Sequence, residues 1–394
     1  MPSGRVAAEP RAAARPDAGG PHGSGLKERP ALLRGWTRGA GIFLASRIGV
    51  LLVVVALAYN DHTSVGRLLA SWDSKWYLLA AAHGYPAHIP TGHGNAAQST
   101  LGFFPLLPAL IRGVAVVTRL PVEGSGLVVT AMAGLAASVA CWHLLRDLTD
   151  ADGADRGTAL VVFSPAAFVL SMVYGEGLLI TFGALTLMAL RRGRFAVAGI
   201  CAGLASATDP IGIALLAPCL VAALRGIRRG RDWRPLLSVG LAPWGVIAFF
   251  SYLWAHDGTP FAWFVAQRRG WQSGRMGTGI YLIYEHLFEH GFTNVNDIVK
   301  ATSTIVVVAI LVVFLRGRPP AEVVAYVAVV CFLAALSPII GFSPRIALRA
   351  FPLLGVFGAG LSRRVFVIVF GLSALALSTL IVLSLGTAPI RFTP

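Results

Sequence analysis

Long apolar runs recur along the chain from Gly41 to Leu385, and short arginine clusters separate them. The clusters are Arg191-Arg192-Gly193-Arg194, Arg225 to Arg234, Arg316-Gly317-Arg318 and Arg363-Arg364. Apolar runs of spanning length leave few alternatives to a polytopic bundle of membrane helices, because a backbone inside lipid must satisfy its own hydrogen bonds. Composition agrees. Of 394 residues, 56% are hydrophobic and 13% charged, whereas soluble domains carry about 25% charged residues. The mean hydropathy is +0.70. These values argue against a disordered chain, a disulfide-stapled secreted module and a nucleic-acid binder.

The chain has 33 Lys+Arg against 18 Asp+Glu, a net charge of +15. The positive-inside bias assigns most of this excess to the cytoplasmic side. Residues 1 to about 38 read as a disordered basic tail in the cytoplasm. The first run, Gly41 to Tyr59, reads as an anchor rather than a cleaved signal, with Arg34, Arg38 and Arg47 on its leading side. If every arginine cluster is cytoplasmic, two crossings must separate each from the next. That parity holds only if Gly102–Val117 is a juxtamembrane or re-entrant helix, which leaves about eleven crossings. Its start, Phe103-Phe104-Pro105-Leu106-Leu107-Pro108, and its Arg112 and Arg119 also suit a segment that does not span. The expected architecture is therefore an all-α integral membrane domain from residue 39 to 394, with outer loops at 60–100 and 256–299.

Cys141, Cys201, Cys219 and Cys331 lie inside apolar runs without CxxC spacing, and read as small core- or lipid-facing residues. His83, His88 and His93 share a loop, but their spacing fits no helical metal pair, so no metal site is expected. Dinucleotide, P-loop and nucleophile-elbow signatures do not occur.

On the expected outer side the polar residues are not random. The first loop holds Trp72-Asp73-Ser74-Lys75-Trp76-Tyr77 and then Gly84-Tyr85. An interfacial aromatic belt accounts for the aromatic residues. It does not account for a carboxylate between two tryptophans, where partial desolvation suits Asp73 to accept a proton. Glu176, in Tyr174-Gly175-Glu176, sits between two apolar runs, where an ionisable group is costly. Asp209 precedes Pro210 and reads as the N-cap of the next helix. Arg268, Arg269, Arg345 and Arg349 stand where the positive-inside bias predicts few cations. A lipid phosphate or general attraction to anionic headgroups would explain them.

Taken in order, Trp72-Asp73-x-x-Trp76-Tyr77, Gly84-Tyr85, Phe103-Phe104-Pro105-Leu106-x-Pro108, Ser164-Pro165-Ala166 and Tyr174-x-Glu176 resemble the glycosylphosphatidylinositol mannosyltransferase II family, most closely its bacterial relatives. Gly258-x-Pro260-Phe261-Ala262 with Ala266-Gln267 and Trp271 resembles that family's large outer loop, and Pro344-Arg345 with Phe351-Pro352 its late motif. The resemblance covers residues 45 to 355. It departs at Thr208-Asp209-Pro210, where relatives usually carry Thr-Arg-Pro, and over Pro86 to Ser99, which lacks the acidic residue that eukaryotic members carry after Gly-Tyr.

The resemblance implies a GT-C glycosyltransferase of the plasma membrane. Such an enzyme moves a mannosyl unit from a polyprenyl-phosphate donor to a lipid or glycolipid acceptor on the extracytoplasmic face. In that scheme Asp73 is the general base, with Glu176 the second candidate or an acceptor-orienting group, and Lys75 and Arg345 bind the departing phosphate. Trp72, Trp76, Tyr77, Tyr85, Tyr174, Gln267 and Trp271 are the remaining substrate-binding candidates. Whether a divalent cation or an accessory membrane subunit takes part is open at this stage. The competing reading is a polyprenyl-lipid or solute transporter, which would string its polar groups along a path through the membrane.

Overall fold

A computed structural model describes residues 25–92, 94–271, 287–288, 291, 294–336, 342–387 and 392, with side chains in the first helix described from Gly35. His93, most of the loop after Trp271 and residues 1–24 of the basic tail lie outside the described residues. The described secondary structure is helical. Helix α1 (Gly25–Asn60) begins before the expected end of the tail, then come short α2 (Val65–Leu69) and α3 (Ser74–His83). The next group is α4 (Leu106–Thr118), α5 (Val122–Leu148), α6 (Ala151–Val162), α7 (Glu176–Arg191) and α8 (Phe195–Thr208). Helices α9 (Leu216–Gly230), α10 (Leu236–Leu241), α11 (Trp244–Asp257) and α12 (Ala262–Gly270) follow. The C-terminal group is α13 (Val295–Arg316), α14 (Ala321–Leu336), α15 (Pro344–Arg349), α16 (Phe351–Gly360) and α17 (Arg363–Leu385).

Among the described residues six helical segments are long and apolar enough to cross a membrane: Gly35–Asn60, Val122–Leu148, Pro210–Gly230, Leu236–Asp257, Val295–Arg316 and Arg363–Leu385. Shorter apolar helices occupy the other expected crossing positions, so the chain is an all-α polytopic membrane protein. Helix α4, with 13 residues, is about 20 Å long against a hydrocarbon core of about 30 Å. Helices α8 and α16, with 14 and 10 residues, fall short of that thickness as well. In α5, 61% of the spanning window is buried, against 22% in α13 and in α17. Helix α5 is thus the central post, packed against α1, α6 and α7, while α13 and α17 turn most of their surface outward.

Local sequence explains where the helices start and stop. Asp150 accepts from the Gly153 amide at 2.6 Å and caps α6. Ser362 caps α17 and Asn294 caps α13, each with its side-chain oxygen. Ser164-Pro165 breaks the chain after α6, and the freed carbonyls find a buried partner. Arg47, 8% exposed, donates to Val162 O at 3.1 Å and Ala167 O at 2.9 Å. Sequence reading treated Arg47 as a charge that orients α1; the structure makes it a clamp on this break. The four cysteines are buried and free.

Close helix contacts rest on small residues. A Cβ on Gly157 of α6 would sit 2.3 Å from Gly355 O on α16, and backbone cannot give way as a flexible side chain can. Gly157→Ala is expected to cost about 1–3 kcal/mol through helix separation, read as a lower thermal midpoint in detergent. An unchanged midpoint would mean that α6 and α16 are not held at this distance.

Candidate active site

Three acids and two arginines, drawn from four distant segments, meet at one end of the bundle. Asp73 lies just before α3, Glu176 begins α7, Asp209 ends α8, and Arg345 and Arg349 stand one turn apart on α15. Arg345 Nη1 donates to Asp73 Oδ2 at 3.1 Å, and its Nε and Nη2 donate to Glu176 Oε1 at 2.9 and 2.6 Å. Arg349 donates to the same Glu176 oxygen through Nε at 3.2 Å and Nη2 at 3.0 Å. Its Nη2 also pairs with Asp209 Oδ2 at 2.9 Å. With every group ionised, three carboxylates face two guanidinia, so the cluster carries one net negative charge.

Burial separates the acids. The side chains of Glu176 and Asp209 are 2% and 9% exposed, while that of Asp73 is 32% exposed. Charges taken this far from water persist only when paired and hydrogen-bonded. Glu176 Oε1 meets that condition through two guanidinia. Its Oε2 is buried with no hydrogen-bond partner, so a free acceptor atom remains inside the cluster. Asp73 is the carboxylate that a substrate could reach.

Aromatic side chains hold the frame. The Asp73 amide donates to Tyr174 Oη at 3.2 Å, and the Arg345 guanidinium lies over the Tyr174 ring at 4.7 Å from its centroid. Such a stack orients the guanidinium plane as well as stabilising it. Tyr326 donates to Arg349 O at 2.9 Å and ties α14 to α15. Trp72 adopts φ +56° and its indole donates to Ser384 O at 2.8 Å, which turns the chain into Asp73. Beside Asp73, Trp76, Phe103 and Trp271 form a box, with Trp76 and Trp271 edge-on at 5.8 Å and Phe103 and Trp271 edge-on at 5.5 Å. Tyr77 packs edge-on against Phe103 at 4.9 Å.

The remaining candidates fall in different places. Lys75 is exposed, its ammonium 4.9 Å from the Trp76 ring centroid. Tyr85 is committed to the fold: its hydroxyl donates to Phe103 O at 2.9 Å and its ring packs against Phe249 and Tyr252. Gln267 donates to Gly102 O at 2.9 Å, which fastens α12 to the chain ahead of α4. Arg269 donates to Pro90 O at 3.2 Å. Arg349, which the sequence placed on a phosphate-binding rim, is instead 6% exposed in its side chain and held between two acids. Asp209 is the expected N-cap, since its Oδ1 accepts from the Ile211 amide at 2.9 Å. Its second oxygen holds Arg349, a role the capping reading did not contain. Two hints were present in the sequence: Arg345 and Arg349 are spaced to share a helix face, and Asp209 interrupts an apolar run. Among the described residues no group of three His, Cys, Asp or Glu side chains could hold a metal ion.

The cluster lies away from the arginine-rich loops. Helix α7 runs from Glu176 to Arg191, so its length separates the cluster from Arg191 and Arg192, which contact Asp147 at the other end.

No protein-family model matches the chain, and no curated protein sequence matches it. Solved structures do. The apo structure of ArnT from Cupriavidus metallidurans aligns with 20% identity and a TM-score of 0.52, over 89% of this chain and 64% of that one. ArnT from the same organism bound to undecaprenyl phosphate aligns with 18% identity and a TM-score of 0.51, over 86% and 64%. The archaeal oligosaccharyltransferase AglB from Archaeoglobus fulgidus, in complex with an inhibitory peptide and a dolichol-phosphate, aligns with 12% identity and a TM-score of 0.45, over 87% and 55%. The chain spans 64% of the length of the ArnT structures it matches. The chain shares the fold of these ArnT structures.

Proposed function

We propose that this chain is a membrane glycosyltransferase that moves a mannosyl unit from a polyprenyl-phosphate donor to a hydroxyl on a lipid or glycolipid acceptor. The observation that carries this reading is the position of Asp73. It is the exposed carboxylate of an otherwise buried ion cluster, and it shares the Arg345 guanidinium with Glu176. The fold it has in common with ArnT, one structure of which holds undecaprenyl phosphate, supports a lipid-phosphate donor. The mannosyl identity and the subfamily rest on the resemblance of Trp72-Asp73, Tyr174-x-Glu176 and Pro344-Arg345 to the mannosyltransferase II pattern. The charged groups form one cluster at helix ends, where a transporter would need a path across the bilayer.

In this mechanism the acceptor hydroxyl oxygen attacks the anomeric carbon of the donor as Asp73 takes the hydroxyl proton. The bond from that carbon to the phosphate oxygen breaks, and polyprenyl phosphate leaves with the bonding pair. Displacement from the opposite side inverts the configuration at the sugar carbon. A phosphate is a competent leaving group, so a second carboxylic acid is not required, in contrast to glycoside hydrolysis. Positive charge on the departing phosphate is required, and Arg345 and Lys75 supply it. The donor phosphate then competes with Asp73 for Arg345, so donor binding loosens the base from its ion pair. Glu176 and Arg349 keep Arg345 in place, and the Trp76, Phe103 and Trp271 box offers stacking faces beside the reacting carbon. The site opens to the extracytoplasmic side, away from the arginine loops.

The test uses membranes containing the chain, radiolabelled polyprenyl-phosphate mannose, and Asp73→Asn membranes as control. A labelled glycolipid made by the wild type and absent from the control is expected. Equal labelling in both would overturn the assignment. Labelling that appears only with a different sugar on the same carrier would retain the transferase and replace the sugar.

A further inference from the structure

At the arginine-rich end of the bundle, opposite the candidate active site, a cavity of about 400 Å³ opens between α1, α6 and α17. Arg38 and Arg156 stand at its mouth with Asp155, and Ile42, Ala159 and Phe366 line its length. Arg38 pairs with Asp155 at 2.8 Å, and Trp142 donates to the other oxygen of that carboxylate at 2.6 Å. Arg156 spends one Nη2 hydrogen bond on Ala359 O at 2.9 Å, while its Nε is buried without a hydrogen-bond partner. The walls are largely membrane-facing: α1 and α17 bury only 28% and 22% of their spanning windows. A Cβ on Gly41, which lines the groove, would meet nothing within 4 Å.

We propose that this groove binds an anionic phospholipid from the leaflet at the arginine-rich end of the bundle. Its phosphate pairs with the guanidinia of Arg38 and Arg156, and one acyl chain lies along Ile42, Ala159 and Phe366. The two arginines outnumber Asp155, so an anionic headgroup complements the mouth, and the apolar walls fit hydrocarbon. The site is independent of the proposed sugar transfer and stands whichever substrate the cluster at the opposite end takes.

The test is native mass spectrometry of the delipidated full chain with phosphatidylglycerol, phosphatidylcholine or inorganic phosphate. One phosphatidylglycerol is expected to bind at least about tenfold more tightly than phosphatidylcholine. Arg38→Gln is expected to reduce that preference. Gly41→Leu keeps every charge, fills open space beside α1, and is expected to block the acyl chain while leaving the thermal midpoint at or above the wild-type value. Equal binding of the two lipids, retained binding in Gly41→Leu, or full protection by inorganic phosphate alone would overturn the proposal. A chain lacking residues 1–24 that binds phosphatidylglycerol much more tightly would identify the basic tail as the occupant and overturn it as well.

Discussion

Asp73→Asn is expected to lower sugar transfer by at least about 10²–10⁴-fold, the contribution of a positioned general base. The same change should leave the fold nearly intact. Asp73 is 32% exposed, its partner Arg345 keeps Glu176, and the change leaves two carboxylates facing two guanidinia, so no buried charge loses its counterion. The substitution preserves the shape of the side chain and the Asp73 amide contact to Tyr174. A large loss of transfer with an unchanged thermal midpoint therefore separates a chemical role from a structural one. If transfer survives Asp73→Asn and disappears in Glu176→Gln, the base is Glu176, whose Oε2 is free inside the cluster.

Glu176→Ala should act in the opposite sense, first on stability. It strips Arg345 and Arg349 of the oxygen they share and leaves both guanidinia buried, with Arg345 relying on a half-exposed acid. Removing one member of a buried ionic cluster costs about 3–5 kcal/mol, enough to unfold a marginal protein. The expected readout is a sharp fall in folded yield and in thermal midpoint in detergent. The pair next to it gives an internal control. Asp209→Asn leaves Arg349 with Glu176 alone, Arg349→Gln leaves three acids on one guanidinium, and the double variant removes one charge of each sign. Their coupling is expected to be about 1–3 kcal/mol; additive losses would mean that the 2.9 Å contact contributes nothing.

The polytopic helical architecture was legible from hydropathy and arginine spacing alone, because lipid permits few backbone solutions. The helix breaks were legible too: Asp209-Pro210 and Ser164-Pro165 both end helices. Asp73 and Glu176 stood out as ionisable groups in apolar surroundings and Arg345 as a cation where few are expected, and the structure brings all three together. Asp209, Arg349 and Arg47 were read in part or wrongly for a common reason. A sufficient local explanation, an N-cap for one and membrane charge bias for the others, hid a tertiary one. Pairing over 115 residues or more leaves no trace in periodicity, since it depends on how separate helices pack. Gln267 and Tyr85 show the converse. Their motif positions suggested ligand contact, yet each donates to the backbone at Gly102 or Phe103 and locks the loops around the aromatic box.

The long reach of the Arg345 contacts bears on how the protein is made. Glu176 precedes Arg345 by 169 residues, and synthesis runs from the N-terminus at about 5–20 residues per second. For many seconds the growing chain holds its acids with no guanidinium yet in existence to receive them. Until α15 emerges, Glu176 and Asp209 stay beside water or carry a proton, because an unpaired carboxylate in hydrocarbon is too costly. The late six-residue helix α15 therefore completes the cluster last. Chains that stop short of it keep most of their membrane helices and expose unpaired acids, a defect that membrane quality control can detect before any activity is lost.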